Sequence, residues 1–203
     1  MYLTKFRIPL ASRQAVNCLR DAQQMHIVVS KLFGSGRKDA GILYRTNVSG
    51  GVVQIYAYSD TAETYPVQDV SLEAQRDISS WVDNMQEGKL YSFDLLAVPA
   101  KKVQEEGAKN SRRRLLRTEE ERQNWLMRKS QQNGFRVLQA EELQKVSFFA
   151  KHGEEKGNTM HFDAYHFRGI LCVEDAALFH HAVSAGIGSG KAYGCGMLML
   201  KAL

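Results

Sequence analysis

The stretch "ILYRTNVSGGVVQIYAY", residues 42–58, decides how the first half of the chain is read. Two runs rich in β-branched and aromatic residues flank Ser49, Gly50 and Gly51, and the glycines supply a tight turn, which together signal a hairpin. Upstream, "MYLTKFRIPL" (1–10) alternates enough to read as a strand. From Ser12, an N-cap residue, to about Arg20 the spacing predicts a helix with Ala15, Val16 and Leu19 on one face. A second helix, Met25 to Phe33, ends at Gly34, and "GSGRKDAG" breaks the pattern before the hairpin. Downstream, Ser71 to Met85 reads as a helix with Leu72, Ile78 and Val82 roughly in phase. "LYSFDLLAVP" (90–99) then reads as a strand stopped by Pro99.

That order is β-α-β-β-α-β, a ferredoxin-like (RRM-like) arrangement in about the first 100 residues. The second half repeats it. "RRLLR" (113–117) suits a strand, and "TEEERQNWLMRKSQQNG" (118–134) a helix whose Thr118 and Glu121 make a capping box and whose end meets Gly134. "FRVLQ" and "QKVSFFAKHG" read as strands, followed by the charged turn "HGEEKGN" and the long strand "TMHFDAYHFRGILCV". A helix beginning near Asp175 and the terminal strand "CGMLMLKAL" complete the order. The expected fold is α+β, with two tandem ferredoxin-like domains at 1–100 and 101–203.

Composition narrows the function class. The chain of 203 residues is 44% hydrophobic and 24% charged, ordinary for a globular protein. No apolar run approaches the roughly 20 residues of a membrane span. The start lacks the charged-then-apolar layout of a secretory signal, so a cytoplasmic protein without membrane partners is expected. Cys18, Cys172 and Cys195 are odd in number and far apart, which argues against a disulfide framework or a zinc site. The net charge is +5. Between Lys101 and Lys129 ten Lys or Arg face five Glu, so the whole excess sits in one segment centred on "KNSRRRLLR" (109–117). Such a run is either a solvated loop or a surface for phosphates.

Near the C-terminus, "AGIGSGKAYGCGML" (185–198) holds five glycines and Lys191. A nucleotide-binding loop needs Gly-x-x-x-x-Gly-Lys-Ser/Thr leading from strand to helix. Here Ala185 takes the first glycine position, Ala192 replaces the Ser/Thr, and the stretch leaves a helix to enter a strand. A dinucleotide fingerprint fails on the same reversed order. Two readings remain: a helix C-cap with a tight packing turn, or a loop of N–H groups which, with Gly188, Gly190 and Lys191, lies against a polynucleotide backbone.

Four segments together resemble the CasE family, the repeat-processing ribonuclease subunit of type I-E Cascade complexes. These are "MYLTK", "MHIVVSKLF" (25–33), "FDLLAVPAKK" (93–102) and the glycine-rich stretch. The third is similar to the family's F-x-L-x-A-N-P-x-K segment, with Val98 where Asn is usual. The resemblance implies an endoribonuclease that cuts CRISPR repeat RNA at the base of a stem-loop, without metal or cofactor. The ribose 2′-OH attacks the adjacent phosphate, and the crRNA product is retained with the other Cascade subunits. It further implies that His26 is catalytic, a residue type whose pKa near 7 suits either proton role. Lys31 is a second candidate, for charge stabilisation, although it lies about 140° around the helix from His26.

The family often carries a tyrosine three residues before this histidine, where the chain has Gln23. Glutamine donates a hydrogen bond but does no acid–base work, which keeps open a non-cleaving stem-loop binding subunit. An RNA-binding ferredoxin-like module unrelated to CRISPR is a third reading. Recognition of a duplex stem rests on shape and backbone contacts. The expected RNA contacts are Arg112, Arg113, Arg114, Arg117 and Arg128, with Arg122 beside them, and the tip of "FFAKHGEEKGNTMHF" (148–162) with Lys151, His152 and Lys156. His161, His166, His180 and His181 offer no metal-ligand spacing, so no metal site is expected.

Overall fold

The computed structural model describes residues 1–34, 41–104, 112–151 and 159–203. The glycine turn forms as read: β2 (Leu43–Ser49) and β3 (Val52–Ser59) pair antiparallel, with Leu43 opposite Tyr58 and Ser49 opposite Val52. Gly50 and Gly51 both take positive φ, 59° and 76°, the left-handed geometry a two-residue hairpin demands. β1 (Tyr2–Pro9) lies beside β3, and β4 (Ser71–Asp77) closes the far edge, giving a sheet of order β2-β3-β1-β4. Two helices cover one face. α1 (Arg13–Arg20) is capped by Ser12, whose Oγ accepts from the Ala15 N–H at 3.1 Å. α2 (Ala22–Leu32) follows at once, capped by Asp21. Met25, Val28, Val29 and Leu32 of α2 bury against Phe6, Ile8, Val53 and Ile55 of the sheet.

The predicted helix from Ser71 to Met85 is not there. Its first half is β4, every residue of which is exposed, and only Ser79–Asp83 is helical (α3). An edge strand paired on one side to β1 need not alternate apolar with polar, so its period is lost in the sequence. The apparent helical phase came from Ile78 and Val82, which do bury, while Leu72 is 52% exposed.

β5 (Leu90–Ala97), expected as the last strand of the first unit, instead sits inside the second sheet. It pairs with β9 (Thr159–Val173) on one side and β10 (Leu198–Ala202) on the other, with β8 (Phe135–Lys151) beyond β9. The chain thus passes from one sheet to the other between Asp77 and Leu90. Alternating burial of Tyr91, Phe93 and Leu95 suits either sheet, so element order alone could not choose. With α4 (Glu119–Gln132) and α5 (Ala176–Ala185) as crossovers, the order β10-β5-β9-β8 is ferredoxin-like throughout. The two strands expected at "FRVLQ" and "QKVSFFAKHG" are one, β8, whose register shifts at Val137/Gln139 and Glu142/Gln144 interrupt the alternation.

The basic segment makes neither sheet. β6 (Ala100–Val103) and β7 (Arg112–Leu115) form a separate two-stranded ribbon. Both units share one core: Leu43, Tyr58, Ile78 and Val82 cluster with Phe93, Phe135, Phe167 and Phe179. No helix among the described residues is long and apolar enough to cross a membrane.

Candidate functional site

The glycine-rich turn lies where the two sheets meet. It leaves α5 at Gly186 (φ 75°), passes through Gly188 (φ 83°) and Gly190 (φ 77°), and makes a 3₁₀ turn at Lys191–Tyr193 before Gly194 (φ 81°) and Gly196 (φ 86°). A backbone bond from Gly196 N–H to Leu96 O at 2.7 Å anchors it to β5, and one from Ile187 N–H to Gly196 O at 2.8 Å closes the turn on itself. From the first unit, the Tyr44 hydroxyl donates to Ala192 O at 2.7 Å. A Cβ on Gly188 would stand 3.1 Å from the Trp125 ring, and one on Gly190 3.0 Å from Val98 Cγ2. Both glycines sit at positive φ, where a side chain is strained, and a Cβ there would also crowd Trp125 and Val98. Lys191 is also held within the fold: its Nζ donates to Ala185 O at 2.6 Å, a cation at the C-terminal end of α5, where the helix dipole favours it.

His26 projects from α2 toward this turn, its imidazole edge-on to Tyr193 with ring centroids 6.4 Å apart. Tyr193 in turn packs on Phe162 of β9 at 5.5 Å. Burial, and then the carboxylate of Asp21, push the Tyr193 phenol up, so it remains protonated at neutral pH. Lys151 reaches the same corner by its backbone, whose N–H donates to Asp21 Oδ1 at 3.2 Å. Beside His26 opens a shallow cleft of about 650 Å³ lined by Gln23, Ile27, Ser30, Lys31, Gly34 and Tyr65. His26 and Lys31 thus border one space despite their angular offset. The Gln23 Oε1 is buried with no hydrogen-bond partner among the described residues.

On the other side of the turn lies a cleft of about 520 Å³ with a cationic rim: Lys101, Lys102, Arg113, Arg128, Lys129 and Lys191, around Trp125 and Gly188. The ribbon sets like charges directly opposite, Lys101 across from Arg114 and Lys102 across from Arg113. Such pairs destabilise a ladder unless an anion lies over them. Lys101 Nζ has one exposed partner, Glu121 Oε1 at 3.6 Å.

The residues expected from the sequence fall into separate places. Arg113, Arg128, Gly188 and Lys191 line the cationic cleft. Gly190 lines its neighbour, with Arg113, His161, Phe162 and Tyr193. Arg114 is exposed on the ribbon, and the backbone of Arg112 forms its last rung, opposite Val103. Arg117 is exposed beside the start of α4, where its N–H donates to Glu121 Oε2 at 2.9 Å. Arg122 does not extend the surface. It forks onto Glu142, with Nε–Oε2 at 2.7 Å and Nη2–Oε1 at 2.6 Å, and lies over the Tyr165 ring at 3.9 Å. His152 and Lys156 lie outside the described residues. Lys101, Lys102 and Lys129 were hidden in the net charge of the segment, and Tyr193 carries no spacing signal toward His26. Among the described residues, no three His, Cys, Asp or Glu side chains gather as a metal-binding group.

The family profile described as "CRISPR associated protein" matches residues 1–202. Among curated proteins, the CRISPR-associated endoribonuclease Cse3 of Thermus thermophilus is 28% identical over 211 residues, covering 98% of both chains. A solved structure of CRISPR endoribonuclease Cse3 bound to a 19-nucleotide RNA matches with a TM-score of 0.84 at 26% identity, over 99% of this chain and 100% of that one. The crystal structure of Cas6e from Escherichia coli matches with a TM-score of 0.76 at 24% identity, over all of both chains.

Proposed function

Because the chain belongs to the CRISPR-associated protein family, we propose that it is an endoribonuclease that cuts CRISPR repeat RNA at the base of a stem-loop. It keeps the crRNA product as a subunit of a type I-E Cascade complex. The observation that carries this reading is the junction at the glycine-rich turn. A histidine borders it through Tyr193, and so does a cleft whose described lining carries six Lys or Arg and no Asp or Glu. A duplex stem supplies the phosphates for the rim, and a strand leaving the stem reaches the cleft beside His26. Relatives that are endoribonucleases by name, one of them solved with RNA, support the reaction class.

In the proposed reaction the 2′-oxygen loses its proton, attacks the adjacent phosphorus, and the P–O5′ bond breaks as the 5′-oxygen gains a proton. The products are a 2′,3′-cyclic phosphate and a 5′-hydroxyl. His26 serves one of the two proton transfers. Lys31, on the same cleft, offsets charge on the phosphorane. Gln23 supports the rival reading, since its amide does no acid–base work and its Oε1 is buried with no hydrogen-bond partner among the described residues.

One assay separates them. A repeat stem-loop incubated with the protein in EDTA should be cut once, leaving a cyclic phosphate, and a single 2′-deoxyribose at the cut should block the reaction. RNA that is bound but never cut would establish the non-cleaving subunit, and cutting that EDTA abolishes would overturn the mechanism.

A further inference from the structure

The cleft beside His26 has a second wall that the proton chemistry does not use. Tyr65 stands on it, 44% exposed although it is a large aromatic residue. It is not a loose surface side chain. Its backbone N–H donates to Leu32 O in the last turn of α2, at 2.8 Å. Its ring lies against Gly34, where an added Cβ would run into Cε2 and Cδ2 of the ring. Gly34 takes a φ of 66°, so backbone geometry and close packing both call for glycine there. Glu63 beside the phenol pushes its pKa up from the ordinary tyrosine value. An exposed aromatic ring held through its backbone and along one edge has less conformational freedom to lose on binding.

The charges of the cleft assign its two sides. His26 and Lys31 stand on the helix side, where a phosphate is welcome. Glu63 beside Tyr65 repels phosphate, so the group facing this ring is uncharged and flat. We propose that Tyr65 is a stacking platform for an unpaired nucleobase of the RNA, next to the phosphate that is cut. The inference rests on the RNA-cleaving reading above and adds a specificity element to it. Stacking accepts any base with a π-face, so the platform selects for an unstacked nucleotide at that position more than for its identity. The stem's end supplies such nucleotides, and the platform fixes where the backbone crosses His26.

The test is made on both partners. Tyr65→Ala should lower kcat/KM on a repeat stem-loop by about 5- to 150-fold, the range for removing a base–aromatic stack. Tyr65→Trp and Tyr65→Phe should retain most of it. Abasic residues are then placed one at a time at the unpaired nucleotides flanking the cut. One position should show a similar loss with wild type and no further loss with Tyr65→Ala. If Tyr65→Ala melts at a lower temperature, Tyr65→Leu replaces it, keeping an apolar contact with Gly34 but no π-face. A readout independent of cutting is 2-aminopurine at the same nucleotide, whose fluorescence wild type should quench and the Leu variant should not. Should wild type bind and quench without cutting, the cleavage reading fails while the platform stands. Variants that cut and quench like wild type, or losses that multiply at every abasic position, would overturn the platform.

Discussion

His26 is a partly buried histidine whose chemistry depends on how its ring is held, and the ring it meets edge-on is Tyr193. His26→Ala should leave stem-loop affinity intact and reduce cleavage by at least about 10²-fold, the usual size of a general acid–base contribution. Near-normal cutting by that variant would remove His26 from the reaction. Tyr193 divides into a ring and a hydroxyl. Tyr193→Phe keeps the edge contact with His26 and the packing on Phe162, so it should keep most of the activity, whereas Tyr193→Ala should lose more. Because burial holds the phenol protonated well past neutrality, Tyr193→Phe should also leave the near-neutral limb of the kcat/KM–pH profile where it is. A limb that moves with the Phe variant would make the hydroxyl a proton carrier. That His26 lies on a helix ending before Gly34 was legible, because apolar spacing and a glycine stop are local. The helix starts at Ala22 on the Asp21 cap, however, three residues earlier than that spacing predicts. The place of Tyr193 was not legible, because nothing local ties a tyrosine among glycines to a helix at the other end of the chain.

At the scale of elements, the β6–β7 ribbon and the glycine-rich turn separate binding from folding. The ribbon opposes Lys101 to Arg114 and Lys102 to Arg113. Changing all four to Ala should weaken stem-loop binding and reduce the log–log salt slope by just under about one unit for each phosphate left without its cation. It should not lower the melting temperature, since like charges facing each other oppose the ladder. A slope that stays put would make the ribbon a solvated loop. Gly190 is the opposite case, in the left-handed region at φ 77° and ψ 15°, with Val98 and Cys195 against the missing Cβ. Gly190→Ala should cost about 1–2 kcal/mol from backbone strain alone, read as a fall of roughly 2–8 °C in Tm for a chain of this size. Unchanged melting without RNA binding would mean that the turn is shaped for RNA before packing. Other elements separate what a local pattern encodes from what it does not. Thr118 and Glu121 form their capping box as spaced, with Glu121 N–H donating to Thr118 Oγ1 at 3.1 Å. Strand β4 escaped because an exposed edge has no period. Strand β5 was recognised as a strand, but its partners lie beyond any local pattern.

At the scale of the whole molecule, His26 belongs to the first unit and the cationic rim to the second, so the site depends on how the two are joined. Tyr58 of β3 donates to Leu198 O of β10 at 3.3 Å, deep in the shared core. Nearer the surface, Arg45 of β2 forms an ion pair with Asp94 of β5. The Asp94 Oδ2 lies 2.7 Å from His166 Nε2, and the same ring nitrogen lies 3.1 Å from Arg45 Nη2. Arg168 Nη2 approaches Asp94 at 3.6 Å from a more exposed position. Asp94 is thus the only carboxylate among the described residues that is ion-paired to Arg45 and Arg168, and its side chain is 26% exposed. Asp94→Asn removes that charge but keeps the shape, leaving Arg45 and His166 facing each other without an anion. The expected cost is about 1.5–3 kcal/mol, the range for hydrogen bonds to charged groups. Because Leu43 and Tyr58 of the first unit share one core with Phe93 and Phe167 of the second, unfolding should remain a single transition at lower temperature. In the proposed function the clasp would hold the first unit, with His26, in place relative to the cationic rim of the second, so Asp94→Asn should reduce cleavage more than affinity. Two separate melting steps would mean that the shared core alone does not couple the units, and equal losses in cleavage and affinity would mean that the clasp does not align the site.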